Sequence, residues 1–218
     1  MSNVGDRETS WTRPSSEVVE RFASLEVTNI SDAQFGHGTM SSSLVRMVPT
    51  PASVAGPALT VSITPGNGKA IRRAIDVARP GDVLVVNGHG NTDRAVIGGN
   101  VLMLAAAAGI IAAVVDGAIR DLDEASRVGL MLMARSVTPR SGVNDLGKGE
   151  IGYPVACGGV AVCAGDIVVV DPDGVVVVPR DDAASVARQA ADVQARKGSS
   201  MDFEERWTRI REEAQRAG

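Results

Sequence analysis

The stretch "GDVLVVNGHGNTDRAVIGGNVLMLAAAAGIIAAVVDG", residues 81–117, decides the fold. "DVLVVNG" is a short apolar run bounded by turn residues and reads as a buried strand. "HGNTDRAVIGG" reads as a glycine-rich loop. "NVLMLAAAAG" is an alanine-rich helix that Gly109 closes as a left-handed cap. "IIAAVVDG" is a second buried strand. Just upstream, "NGKAIRRAIDVARPG" places Ile71, Ala74, Ile75 and Ala78 on one helical face, and Pro80-Gly81 stops it. Helix, strand, loop, helix and strand in turn predict an α/β fold with helices packed on a parallel or mixed sheet.

Outward from this core the pattern changes. Residues 1–15 read as a frayed start. "SSEVVERFASL" is helical, with Ser15 or Ser16 as cap, and "NISDAQFGHG" is a short helix with Ser31 and Asp32 as candidate caps. "ASVAGPALTVSI" (Ala52 to Ile63) reads as strands broken at Gly56-Pro57. "GLMLMARSV", "YPVACGGVAV" and "GDIVVVDPDGVVVVP" are further strands, the last with a hairpin turn at "DPDG", Asp171 to Gly174. Two helices end the chain: one capped by Asp181 or Asp182, and a charged one with Phe203, Trp207 and Ile210 in a narrow stripe. The reading therefore divides the chain into an α/β domain over 1–180 and a helical tail over 181–218. The tail is expected to pack on the domain or on a neighbouring subunit.

Composition narrows the function classes. The chain has 218 residues, 44% hydrophobic but only 3% aromatic, so one core is built from aliphatic side chains. A net charge of -4 with no clustered basic face argues against nucleic acid. The longest apolar run, Val101 to Val115, is 15 residues, shorter than the roughly 20 a membrane span needs. No signal peptide is visible in "MSNVGDRETSW", and a soluble cytoplasmic protein is expected. Cys157 and Cys163 have neither zinc nor redox spacing and are expected to be small buried residues. GxSxG, HExxH and phosphate-loop motifs are missing; "GNGK" at Gly66 to Lys69 lacks the phosphate-loop spacing.

Two places carry chemistry. Gly98-Gly99-Asn100 opens a helix, whose first N–H groups lack intrahelical partners and favour an anion. "VVDGAIRDLDE" (Val114 to Glu124) sets Arg120 beside Asp121 at the end of the next strand. Ligands of open α/β sheets gather at the carboxyl ends of strands, so the two loops are expected to meet. Arg120 can fork onto a carboxylate there, and Asp121 can hold a hard divalent cation. The alternative is that Asp121 only caps a surface helix through Asp123 and Glu124. His89 lies in the glycine-rich loop as a second possible lining residue; His37 is distant in sequence.

"ISDA", "ARPGDVLVVNG", "GGN" before an Ala-rich helix, "VVDGAIRD" and "PVACGGVAVCAGDIVVVDPDGVVVVP" together resemble the RraA-like family. The likeness runs from about Ser31 to Pro179, and Gly99 and Arg120 bracket the family's twenty-residue spacing before Arg-Asp. The resemblance implies a β/β/α fold like that of swivelling phosphohistidine domains, in trimers or dimers of trimers with active sites between subunits. It is to metal-dependent 4-hydroxy-4-methyl-2-oxoglutarate / 4-carboxy-4-hydroxy-2-oxoadipate aldolases, which implies a 2-oxo acid substrate. In that likeness Arg120 binds the pyruvyl carboxylate and Asp121 anchors Mg²⁺ or Mn²⁺. The amides of Asn100, Val101 and Leu102, at the helix that Gly98 and Gly99 open, hold the pyruvyl unit. Many of these aldolases have an acidic residue at the position of Gly99, and Asp93 is the expected compensation. A C-terminal glutamate usually reaches the neighbour's site, a role for Glu204 or Glu205.

The inventory suits that chemistry. Retro-aldol cleavage leaves a pyruvate enolate, which needs a lysine Schiff base or a divalent metal as electron sink. The three lysines, Lys69, Lys148 and Lys197, sit beside glycine in loop or terminal positions, so a metal is expected, with oxaloacetate decarboxylation as companion activity. Two other classes compete: a protein-binding regulator of an RNA-degrading enzyme, and a methyltransferase. The second lacks a nucleotide-binding glycine fingerprint.

Overall fold

A computed structural model describes residues 7–49, 53–143, 148–197 and 203–216. The chain order begins with β1 (Arg7–Glu8), α1 (Ser16–Glu20), α2 (Val27–Ala33) and β2 (Val45–Arg46). The central units are β3 (Val54–Ile63), α3 (Lys69–Asp76), β4 (Val83–Ile97), α4 (Gly99–Ala107), β5 (Ala112–Ile119), α5 (Leu122–Val128) and β6 (Met131–Val137). Then come β7 (Gly149–Ile151), β8 (Val155–Cys157), β9 (Val160–Val162), the hairpin β10 (Ile167–Asp171) and β11 (Gly174–Val178), α6 (Ala183–Lys197) and α7 (Phe203–Arg216).

β3, β4, β5 and β6 run parallel, side by side. The apolar runs are continuous because both faces are covered. Leu59, Leu84, Ala113 and Leu132 point to one face, where Ile71, Leu102 and Ala125 of the three crossover helices meet them. Their neighbours Ala58, Val83, Val114 and Met133 point to the other, against Val168, Val170, Val175 and Val177 of the hairpin. The hairpin's outer side, with Ile167, Val169, Val176 and Val178, takes Phe22, Ile30, Ala187 and Ala190 of the flanking helical segments. The result is a mixed α/β single domain in four layers, with helix α6 inside the third core cluster.

Several sequence-based expectations change. "HGNTDRAVIGG" is not a loop: β4 continues to Ile97. Val86 pairs Val115 and Ile97 pairs Ile119, so eleven steps along β4 match four along β5, and register shifts absorb the excess. Left-handed His89 (φ 58) and Gly90 (φ 68) sit in this excursion, as bulged strands allow. Gly56-Pro57 does not interrupt β3; Gly56 leaves room for the carbonyl of Gly81, and the strand pairs β10 through that point. Ser31 and Asp32 lie inside α2, which starts at Val27 because Val27 and Ile30 are its buried anchors. Its first N–H is held by Asp171 Oδ2 of β10 at 3.0 Å, a cap distant in sequence. Burial pushes the Asp171 carboxyl above its ordinary range, against backbone donors that lower it. Residues 7–15 are not frayed: β1 pairs β7, and Arg13 forks onto buried Asp82 at 2.9 and 2.7 Å.

Only one cysteine is buried. Cys157 is 0% exposed, whereas Cys163 is exposed, because it leaves β9 at the turn toward β10. Desolvation pushes the Cys157 thiol up to about 12. Native protein at neutral pH is therefore expected to react with a thiol reagent at Cys163 alone, and denatured protein at both; two fast native thiols would contradict this burial. The same shift has a sign for stability. A thiol whose pKa rises on folding adds nothing to the pH slope below its unfolded value of 9.0, and destabilises the fold as pH climbs from there toward 12.

Candidate active site

The carboxyl ends of β4 and β5 are adjacent, with Ile97 paired to Ile119 and Arg120 N donating to Ile97 O at 3.0 Å. Gly98-Gly99 and Arg120-Asp121 therefore leave the sheet side by side. Two other strand ends join them. The loop after β3 carries Asn67 to a bridge with Val143, and the chain after β6 carries Ser141 to a bridge with Ala95. Together they enclose a cleft of about 70 Å³.

Of the residues expected from sequence, Gly98, Asn100, Val101, Arg120 and Asp121 line this cleft. Gly99 is buried beside it, and Leu102, 1% exposed, puts its side chain in the sheet core. The helix start is also more engaged than expected. The amides of Val101 and Leu102 both donate to Gly98 O, at 3.0 and 3.1 Å. Gly99 N donates to Asp121 Oδ2 at 3.1 Å. Two of the three amides expected to hold an anion, those of Val101 and Leu102, are thus spent on the helix itself.

Asp121 stands at the N-cap position of α5, yet its carboxylate makes no capping bond. It turns instead toward Gly98-Gly99 and Arg120, whose Nε is 3.4 Å from Oδ2. Its backbone is left-handed, φ 63 and ψ 49, a conformation costing about 1 kcal/mol for a residue with a side chain. A β-carbon on Gly98 would lie 2.5 Å from Asp121 Oδ2 and 3.0 Å from Arg120 Nε, so only glycine admits both groups. Arg120 and Asp121 are 39% and 40% exposed, half open to the cleft.

Sequence reading missed Gly68, Arg72, Ser141 and Gly142, which also line the cleft. The signal was available for Gly68 and Arg72: they follow β3 as Gly98 follows β4, and parallel neighbours deliver their loops to one edge. Arg72 sets a second guanidinium on the same cleft as Arg120. The sequence also gave no weight to Glu124, whose side chain lies over Gly99. A β-carbon there would overlap Glu124 Oε2 and lie 2.6 Å from its Cδ and 2.8 Å from its Cβ. Asp93, expected to compensate for Gly99, is exposed on β4 and does not line the cleft. His89 is likewise outside the lining, and Glu204 and Glu205 are exposed in the first turn of α7.

Residues 27–177 match the family model described as RraA-like, Aldolase/RraA. The chain belongs to the RraA-like family. This RraA-like protein is 35% identical over 190 residues to a Halalkalibacterium halodurans protein with a provisional 4-hydroxy-4-methyl-2-oxoglutarate aldolase name, covering 85% of this chain and 90% of that one. A Thermus thermophilus protein named 4-hydroxy-4-methyl-2-oxoglutarate aldolase is 36% identical over 109 residues, 50% of this chain and 66% of that one. Among solved structures, Streptomyces coelicolor RraAS2 superposes with a TM-score of 0.76 at 26% identity, covering 92% of this chain and all of that one. It is described as an unusual member of the RNase ES inhibitor RraA protein family. The RraA-like protein thus has relatives named as enzymes and neighbours named as regulators.

Proposed function

We propose that this RraA-like protein is a divalent-metal-dependent class II pyruvate aldolase that cleaves a 4-hydroxy-2-oxo diacid to pyruvate. The substrate is of the type of 4-hydroxy-4-methyl-2-oxoglutarate or 4-carboxy-4-hydroxy-2-oxoadipate, with oxaloacetate decarboxylation as side activity. The observation that carries this reading is Asp121: a residue in a strained conformation, at a cap position it does not use, aimed with Arg120 at a glycine pair.

The residues fit a hard cation. Gly98 is a cradle that any β-carbon would fill, and the oxygen beside it is a carboxylate. Among the described residues no three His, Cys, Asp or Glu side chains cluster as a metal cage. Mg²⁺ or Mn²⁺ suits such a sparse set, because it keeps several waters and takes one or two carboxylates. Asp121 would hold it, directly or through water. When bound, the cation supplies Lewis-acid polarisation of the substrate's 2-oxo group.

The protein's own groups do the rest. Arg120 forks onto the pyruvyl carboxylate, with the Asn100 amide at the positive end of α4 beside it. Arg72, the second arginine that lines the cleft, would pair the distal carboxylate, which fits a diacid better than a monoacid. Lys69 and Lys148 are exposed and outside the cleft lining, which supports metal over Schiff-base chemistry. A homotrimer or hexamer with sites between subunits belongs to the same reading; exposed Phe203, Trp207 and Ile210 on α7 are surface such an assembly would cover.

The test compares pyruvate release from the two 4-hydroxy-2-oxo diacids and from oxaloacetate, with Mg²⁺ or Mn²⁺ and with EDTA. Metal-dependent release above the metal-only background is expected from all three, fastest from one of the diacids. Release that persists in EDTA would remove the metal from the account. A second reading, a protein-binding regulator of ribonuclease activity without catalysis, draws on the likeness to Streptomyces coelicolor RraAS2. No pyruvate from any of the three would favour it, and capture of a ribonuclease partner would then be the next experiment.

A further inference from the structure

We propose that Glu124 is the second carboxylate of the cation site and holds it from above Gly99; this rests on the reading of Asp121 as the metal anchor. Asp121 is the N-cap residue of α5, and Glu124 stands three residues on, in its first turn. Both reach the same glycine pair. Asp121 Oδ2 takes the Gly99 N–H at 3.1 Å, and the three atoms nearest to a β-carbon on Gly99 all belong to Glu124. Asp121 borders both the cleft and a second groove, which Glu124 lines with Leu122, Asp123 and Val137.

Glycine at position 99 needs a reason. Its backbone is not left-handed, so conformation does not demand it, and glycine in a helix is less stable than alanine. What a β-carbon there meets first is Glu124. The Glu124 side chain in turn makes no hydrogen bond or ion pair to another described residue. It does not close a capping box, in which a third-position glutamate would reach back to the cap residue's own N–H. A favourable position near the positive end of α5 would explain an acidic residue in that turn, but not the glycine beneath it. Two carboxylates over one glycine pair repel each other, and a divalent cation with its waters between them reverses that balance. Glu124 thus provides from α5 a carboxylate that position 99 lacks.

The experiment is Mn²⁺ binding to the full chain, read from loss of the free-ion EPR signal, which needs no turnover. Wild type is expected to bind Mn²⁺, Asp121→Asn to lose it, and Glu124→Gln to weaken it by roughly tenfold or more, the range seen when groups supporting a metal are removed. Gly99→Ala should weaken it similarly, since the new methyl evicts Glu124. Gly99→Asp combined with Glu124→Ala should restore binding, because the carboxylate returns from the other side. Glu124→Gln, which keeps shape and fold, is the deciding variant. If it binds Mn²⁺ as wild type does while Asp121→Asn does not, Glu124 has no part in the site and the metal reading survives. If wild type itself binds no Mn²⁺, or Asp121→Asn binds it unchanged, the metal reading fails and this inference with it.

Discussion

Asp121→Ala is expected to lower pyruvate release from 4-hydroxy-4-methyl-2-oxoglutarate by at least about a hundredfold, because groups that merely support a metal ligand already cost 10- to 100-fold when removed. The chain should still fold: the side chain is 40% exposed, and it accepts a hydrogen bond from the Gly99 N–H at a helix start that its own backbone already closes. Alanine does make the left-handed conformation at φ 63 less favourable, so a small drop in melting temperature is expected as well. Asp121→Asn separates the two effects. Asparagine tolerates the left-handed region and keeps an oxygen for Gly99 N–H, while losing the charge. It should therefore be as inactive as the alanine variant but as stable as wild type. An asparagine variant with wild-type turnover would reduce Asp121 to a hydrogen-bond acceptor.

Arg120→Lys has the second largest expected effect, and it falls on binding. Arg120 N is tied to Ile97 O, so the side chain leaves the sheet edge from a fixed point. Its Nε lies beside Asp121, which leaves the terminal nitrogens for a ligand. Lysine keeps the charge but cannot form two parallel hydrogen bonds to one carboxylate. A hydrogen bond to a charged group is worth about 1.5–3 kcal/mol, which corresponds to a rise in KM of roughly tenfold to a hundredfold. The kcat should move much less, because the carboxylate is bound alike before and during the reaction. Steady-state kinetics on the same diacid checks it; a loss confined to kcat would give Arg120 a role in the chemical step instead.

Much of the architecture was legible because period and punctuation agreed. The run from Gly81 to Gly117 predicted strand, helix and strand, and β4, α4 and β5 lie there. "DPDG" predicted a hairpin, and Asp171 pairs Gly174 at its tip. The sheet-edge rule brought Gly98, Arg120 and Asp121 into one cleft. What escaped depends on distance in sequence or on exact backbone geometry. The extended excursion of β4 looks like a loop because His89 and Gly90 carry loop dihedrals, while its pairing partner lies in β5. Asp171 as the partner of Val27 N could not be read locally. Three amides at a helix start looked equally available, and only coordinates show two of them bonded to Gly98. Gly99 read as a missing acid; in three dimensions it is the space for Glu124.

The most direct measurement is pyruvate release from 4-hydroxy-4-methyl-2-oxoglutarate by the full chain, followed through EDTA treatment and re-addition of Mn²⁺. The account predicts release with metal, loss with chelator and recovery on re-addition, with Asp121→Asn silent throughout. Release by wild type that ignores EDTA, or that Asp121→Asn matches, would contradict it.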